Sequence, residues 1–196
     1  IPPLKQFRPT RDLLHVSGLL LTGDTLDVFV CHLPSRSGGA KESEPYRLHA
    51  ARILYTEADS ILNIRLHPQI IIMGDFNDYP TNKSIQKILE AEAPPVTTNN
   101  LASTTGSTNF STVAPSSLKL YHLLARKAKS KDFGSYKYRG EWGLLDHLIV
   151  SGTLLNQSNH FFTSEEKANV CLLPFLLKDD EKYGDKEPFR TYKGMK

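Results

Sequence analysis

The chain's patterning predicts an α/β or α+β domain, and three observations carry that prediction. Two β-prone runs, residues 13–21 and 25–32, flank the turn-forming Thr22-Gly23-Asp24 and read as a hairpin. Ala51, Leu54, Ala58, Ile61 and Leu62 fall three or four apart, the spacing of one apolar helix face. Ile70-Ile71-Ile72-Met73 is a short continuous apolar run, the pattern of a central strand covered on both faces. A hairpin, a helix, a buried strand and further strands together imply helices packed on sheets.

Taken in order, the hairpin leaves His32 at a strand end. Residues 33–44, rich in Gly, Ser and charge, suit a loop at the rim of a cleft. Pro45 fits a first helical turn, so the long helix is expected over residues 45–66, and His67-Pro68 breaks it. The buried strand ends in Gly74-Asp75-Phe76-Asn77-Asp78-Tyr79-Pro80. A second helix is expected over residues 82–92, with Thr81 or Asn82 as its cap. Residues 99–117, dominated by Ser, Thr and Asn without period, read as a surface loop, and residues 118–128 as a short helix. Residues 135–139 alternate like an exposed strand. Residues 144–150 are apolar apart from Asp146 and His147, and the charged run 178–187 reads as a solvated loop.

With 196 residues, 39% of them hydrophobic and 23% charged, the chain has the bulk of one domain spanning 1–196. The net charge of +3 is small and the basic residues are scattered, so composition by itself signals neither a nucleic-acid binder nor a membrane-surface protein. Cys31 lies in an apolar run, where a packed thiol is expected, and the two cysteines leave the redox compartment open. No apolar stretch approaches the roughly 20 residues that span a bilayer, so a soluble protein is expected. The opening Ile1-Pro2-Pro3-Leu4 lacks a Met and a signal pattern, consistent with a fragment whose export signal has been removed.

The chemistry concentrates in I-I-I-M-G-D-F-N-D. A buried strand that ends in this way places Asp75 and Asn77 at the sheet's edge, where open sheets build their sites. Two residues apart in an extended segment, they would point to the same side, a carboxylate and an amide converging. They offer oxygens to a hard cation such as Mg²⁺, a carboxylate to deprotonate a water and an N–H donor for a phosphoryl oxygen. The plain alternative is turn chemistry after a strand.

This segment resembles the G-D-x-N signature of the endonuclease/exonuclease/phosphatase superfamily, which includes deoxyribonuclease I. V-F-V-C-H-L-P-S-R is similar to the strand that ends in that family's first catalytic histidine, and W-G-L-L-D-H-L-I-V-S to its later strand carrying an aspartate. The three motifs stand in order between Asp27 and Ser151. The resemblance implies a partial four-layer α/β sandwich with two packed mixed sheets flanked by helices. It also implies roles: Asp75 activates the attacking water, Asn77 holds the phosphate, His32 donates to a phosphoryl oxygen, and Asp146 orients a second histidine. Asp75 and Asn77 would be the metal ligands, for Mg²⁺ with Mn²⁺ or Ca²⁺ as alternatives.

Other residues are candidates from their own chemistry. Asp146, flanked by apolar residues, would be a buried carboxylate in need of a partner, and His147 next to it points to the opposite face. An exposed or core-satisfied histidine is the preferred reading of His147. Arg36 has the planar fork of donors that grips a phosphate, and Trp142 a face on which a base or sugar stacks. Tyr46, Arg47, Arg139 and Glu141 are further candidates to line the cleft. His15, His49, His67, His122 and His160 show no zinc-ligand spacing with one another.

The function expected is a metal-dependent hydrolase of phosphate esters, its substrate a nucleic acid, a lipid head group or a small molecule. The alternative is a non-catalytic module on the same fold that binds phosphorylated ligands or a protein partner. The resemblance further implies an N-terminal Asn and Glu and a C-terminal Ser-Asp-His that these residues do not supply. The expectation is that the 196 residues alone are nearly inactive and prone to associate through unpaired sheet edges.

Overall fold

The computed structural model describes residues 11–96 and 114–189. Its centre is a five-stranded mixed sheet in the order β1-β2-β3-β7-β4. Strands β1 (Leu14–Leu19) and β2 (Thr25–His32) form the expected antiparallel hairpin, Leu14 opposite Val30 and Leu19 opposite Thr25. Helix α1 (Ala40–Ile64) crosses over and returns the chain to β3 (Gln69–Asp75), parallel to β2. Strand β7 (Asp146–Ser151) runs antiparallel to β3, and β4 (Leu120–His122) closes the far edge against it.

Two small ribbons complete the strands. β5 (Tyr136–Tyr138) pairs with β6 (Glu141–Gly143), and β8 (Leu177–Asp179) with β9 (Lys186–Pro188). The α/β class is therefore as expected. Among the described residues the strands form one five-stranded mixed sheet and two two-stranded ribbons.

The main core lies between α1 and one face of this sheet. Phe29, Cys31, Ile70, Ile72 and Ile149 meet Leu48, Ala51, Leu54, Ala58 and Leu62 of the helix, all buried. Burying such side chains stabilises by about 1.5–3 kcal/mol each for the larger ones. Cys31 is the expected packed thiol, and burial pushes its pKa up to about 12. On the opposite face Val150 and the half-buried Ile71 and Leu148 join Leu123, Leu124, Leu144 and Leu154 in a second cluster.

Four local expectations are corrected. Helix α1 begins at Ala40, after Gly39 at φ 116° ends the preceding loop, so Pro45 lies inside it; near this start Ser43 Oγ donates to Gly39 O at 2.6 Å and Arg47 Nη2 to Ala40 O at 2.9 Å. The second helix shrinks to one π-helical turn, Ser84–Ile88, because Glu90 turns left-handed at φ 51°. Residues 118–128 hold β4 and a short 3₁₀ turn in place of a helix, since Leu120, Tyr121 and His122 find ladder partners on β7. The charged run 178–187 is a hairpin docked by a buried ion pair, Asp180 to Lys137 at 3.2 Å, rather than a solvated loop. The surface loop expected over residues 99–117 lies largely outside the described residues. Among the described residues, no helix is long and apolar enough to cross a membrane.

Candidate active site

Parallel pairing of β2 with β3 brings both strands' C-terminal ends to one edge of the sheet, and β7 starts at that same edge. His32 stands opposite Asp75, and Asp75 opposite Asp146. Cross-strand partners project to the same face, so the three side chains form one row over three strands. His32 Nε2 lies 3.6 Å from Asp75 Oδ2, with side chains 46% and 34% exposed. Both therefore face solvent while their backbones are fixed in the ladder.

The last rung is narrow. Gly74, opposite Cys31, has φ 130°, and a Cβ placed there would lie 2.0 Å from the Cys31 carbonyl oxygen. Only glycine permits this approach.

After Asp75 the strand ends, and Asn77 adopts the left-handed region at φ 51°, which asparagine tolerates better than most residues. Asp75 and Asn77 thus converge by a turn, not by the extended spacing expected from the sequence. Asn77 N–H donates to Asp75 Oδ1 at 2.8 Å, and its side-chain Nδ2 donates to Leu33 O at 3.0 Å. The second hydrogen bond aims the amide of Asn77 toward the loop that follows His32.

Several forces act on the Asp75 carboxyl. Burial raises its pKa, the Asn77 N–H lowers it, the facing Asp146 raises it, and His32 and Arg11 lower it. The sum lies above the ordinary carboxylate value, moving Asp75 toward the range of a general base.

Asp146 is exposed at the start of β7, contrary to the expected buried carboxylate. The physical reason is its register: it shares a face with Asp75 at the open edge. His147 takes the opposite face, is 3% exposed and is fully hydrogen-bonded, the core-satisfied state preferred from sequence. Ser135 Oγ accepts the Asp146 N–H at 3.2 Å and ties β7 to the β5–β6 ribbon.

Arg36 turns its donors inward. Nε donates to Asn77 O at 2.8 Å, Nη2 to Asp78 Oδ1 at 3.3 Å and to Asn82 Oδ1 at 3.1 Å, and the guanidinium lies 4.8 Å from the Tyr79 ring centroid. It braces the loop that carries Asn77. Trp142 is half-buried on β6 with Lys137 Nζ 5.8 Å from its ring centroid. It borders a cavity of about 870 Å³ that also includes Tyr55, Tyr79, Arg126 and Leu144, whereas His32, Asp75, Asn77 and Asp146 lie outside that cavity.

Sequence reasoning missed the hub beneath the loop. Asp78 is buried, with Arg47 Nε at 2.8 Å, Arg36 Nη2 at 3.3 Å and Ser84 Oγ donating at 2.7 Å. Arg47 was a candidate for the cleft lining, but it is 1% exposed and belongs to this ion pair. A signal existed: Arg47 lies four residues before Ala51, on the helix's apolar stripe, and an arginine there requires a buried carboxylate.

The chain matches the Endonuclease/Exonuclease/phosphatase family over residues 3–196 and belongs to it. No curated protein sequence matches the chain. Among solved structures it is similar to the human Nocturnin catalytic domain with bound sulfate anion, at 22% identity and TM-score 0.40, over 67% of this chain and 37% of that one. It is also similar to a conserved protein of unknown function from Enterococcus faecalis V583, at 14% identity and TM-score 0.33, over 65% and 38%. A beta hairpin deletion mutant of beta toxin from Staphylococcus aureus matches at 17% identity and TM-score 0.39, over 88% and 52%. The chain thus spans about half or less of the length of these structures.

Proposed function

We propose that this domain hydrolyses phosphate esters by in-line attack of water on phosphorus. The observation that carries the reading is the solvent-facing row His32, Asp75, Asp146, with Asn77 held beside it in a braced turn. Asp75 takes a proton from the attacking water, whose oxygen bonds to phosphorus as the ester P–O bond breaks; the departing alkoxide takes a proton from solvent and leaves as the alcohol. His32 donates a hydrogen bond to a phosphoryl oxygen as its negative charge grows, and Asn77 holds the phosphate. The charge of Asp146 raises the basicity of Asp75.

Metal dependence belongs to the same proposal. Among the described residues no three His, Cys, Asp or Glu side chains come together to hold an ion. These residues would give Mg²⁺ only the oxygens of Asp75 and Asn77, part of the six it prefers, and no step above passes through it.

The test is a side-by-side assay of plasmid nicking, p-nitrophenyl phosphate, bis-p-nitrophenyl phosphate and sphingomyelin, with and without chelator, on the protein as encoded. Turnover of at least one ester, lost with chelator and restored by Mg²⁺, is expected. Steep salt dependence of nicking would mark a nuclease. Absence of turnover together with no Mg²⁺ binding by calorimetry would sink the proposal and favour a binding module.

A further inference from the structure

Two buried imidazoles take no part in the reaction proposed above, yet their hydrogen bonds run in one direction. Leu124 N–H donates to His122 Nδ1 at 3.1 Å, so this nitrogen presents its lone pair and the ring proton sits on Nε2. His122 Nε2 meets His147 Nδ1 at 2.5 Å, and His147 Nε2 meets the Asp78 carbonyl oxygen at 2.8 Å. A backbone amide only donates and a carbonyl only accepts, so the two ends fix the sense of the whole chain. Both rings must be neutral and carry their proton on Nε2. An added proton would face another donor: the Leu124 N–H at His122 Nδ1, or the His122 N–H at His147 Nδ1. The rings stand perpendicular at 87°, and Phe76 meets His147 edge-on with centroids 5.0 Å apart, which leaves the pair little room to turn. Burial disfavours the charged form of both.

The acceptor at the end of this chain is the reason it matters. Asp78 follows Asn77, and the carbonyls of both residues are held: Asn77 O by Arg36 and Asp78 O by His147. Both clamps fall immediately after the left-handed Asn77, Arg36 coming from the loop after β2 and His147 from β7.

We propose that His122 and His147 are positioning residues for the site: a directed chain of two neutral imidazoles clamps the Asp78 carbonyl and thereby sets Asn77 against Asp75. The proposal rests on reading His32, Asp75 and Asn77 as the reacting groups. Nothing in it requires either imidazole to touch substrate.

The first test needs no variant. In the protein as encoded, ¹⁵N-edited NMR of the imidazoles at neutral pH should show His122 and His147 both as neutral Nε2–H tautomers. Finding either ring protonated on Nδ1, or as an imidazolium, overturns the chain. The second test compares His147→Phe with His147→Gln on bis-p-nitrophenyl phosphate. The Phe variant should lose about 10²-fold in kcat with KM nearly unchanged, as a misplacement of about 1 Å does. The Gln variant, whose amide N–H reaches the same carbonyl, should recover most of that loss. Wild-type kcat in the Phe variant overturns the positioning role, and if that variant does not fold, the wild-type tautomers decide. If the wild type turns over no phosphate ester, the functional proposal fails by itself. Hydrogen exchange at the Asn77 amide then decides the clamp: faster exchange in the Phe variant, largely restored in the Gln variant, supports it, and exchange in the Phe variant unchanged from wild type overturns it.

Discussion

Lowering the pH from 7 to 5 is expected to cost the fold about 2 kcal/mol through His122 alone. Burial, followed by the neighbouring His147, pushes the pKa of His122 from its ordinary 6.5 down to about 3. The unfolded ring therefore binds a proton below 6.5 while the folded ring stays neutral until near 3. Between those limits the unfolded chain holds more protons, so stability rises with pH and falls on acidification. His147, also lowered by burial, adds to the loss in the same direction. A loss of ~2 kcal/mol is a large part of a typical domain's 5–15 kcal/mol and shifts a urea midpoint by roughly 1 M. Urea unfolding at pH 7, 6 and 5 measures it. His122→Gln, which has no titrating ring, should be less stable at pH 7 but lose less on acidification. Wild-type stability that stays flat from pH 7 to 5, or equal slopes in the two proteins, would refute the reasoning.

Three further outcomes follow from the row and the hub beneath it. In the protein as encoded, Asp75→Asn should cut kcat by at least ~10², and His32→Ala by ~10² to 10⁴ with KM little changed; wild-type turnover in both would remove the row from the chemistry. The acid limb of the pH–rate profile should track Asp75 above the ordinary carboxylate range, and Asp146→Asn, by removing a like charge, should move that limb to lower pH. A limb that stays in place or moves up contradicts the assigned coupling. Arg47→Met leaves the buried Asp78 carboxylate with only Arg36 as counter-charge among the described residues, and it should cost about 3–5 kcal/mol in chemical denaturation, against under ~1 kcal/mol if the pair behaved like a surface one.

The sequence reveals the elements whose periodicity is carried by several apolar residues. The Thr22-Gly23-Asp24 hairpin, the helix stripe from Ala51 to Leu62 and the run Ile70 to Met73 all appear where patterning places them. It fails where long-range partners decide. Residues 120–122 have helix-compatible neighbours, and only the ladder with β7, nearly thirty residues away, makes them a strand. Asp146 looked buried because its chain neighbours are apolar; register, which the local sequence does not state, sets it on the open face. The candidate site is legible as a resemblance of motifs, whereas the residues that support it are not. Asp78 stood within the motif already singled out, but its burial depends on Arg47, thirty-one positions earlier, and on His147, sixty-nine positions later.

If the proposed hydrolysis is this domain's activity, Gly74 and His32 would respond differently to its loss. A side chain at position 74 would push β3 off the Cys31 carbonyl, so a copy of this domain that had abandoned its chemistry would still need glycine there to keep its sheet. His32 and Asp146 are exposed and pack no core, so drift would erase them first. The order of decay gives a way to sort relatives. A descendant that keeps Gly74 but has lost His32 and Asp146 has become a scaffold, while one that keeps all three is still under pressure to react.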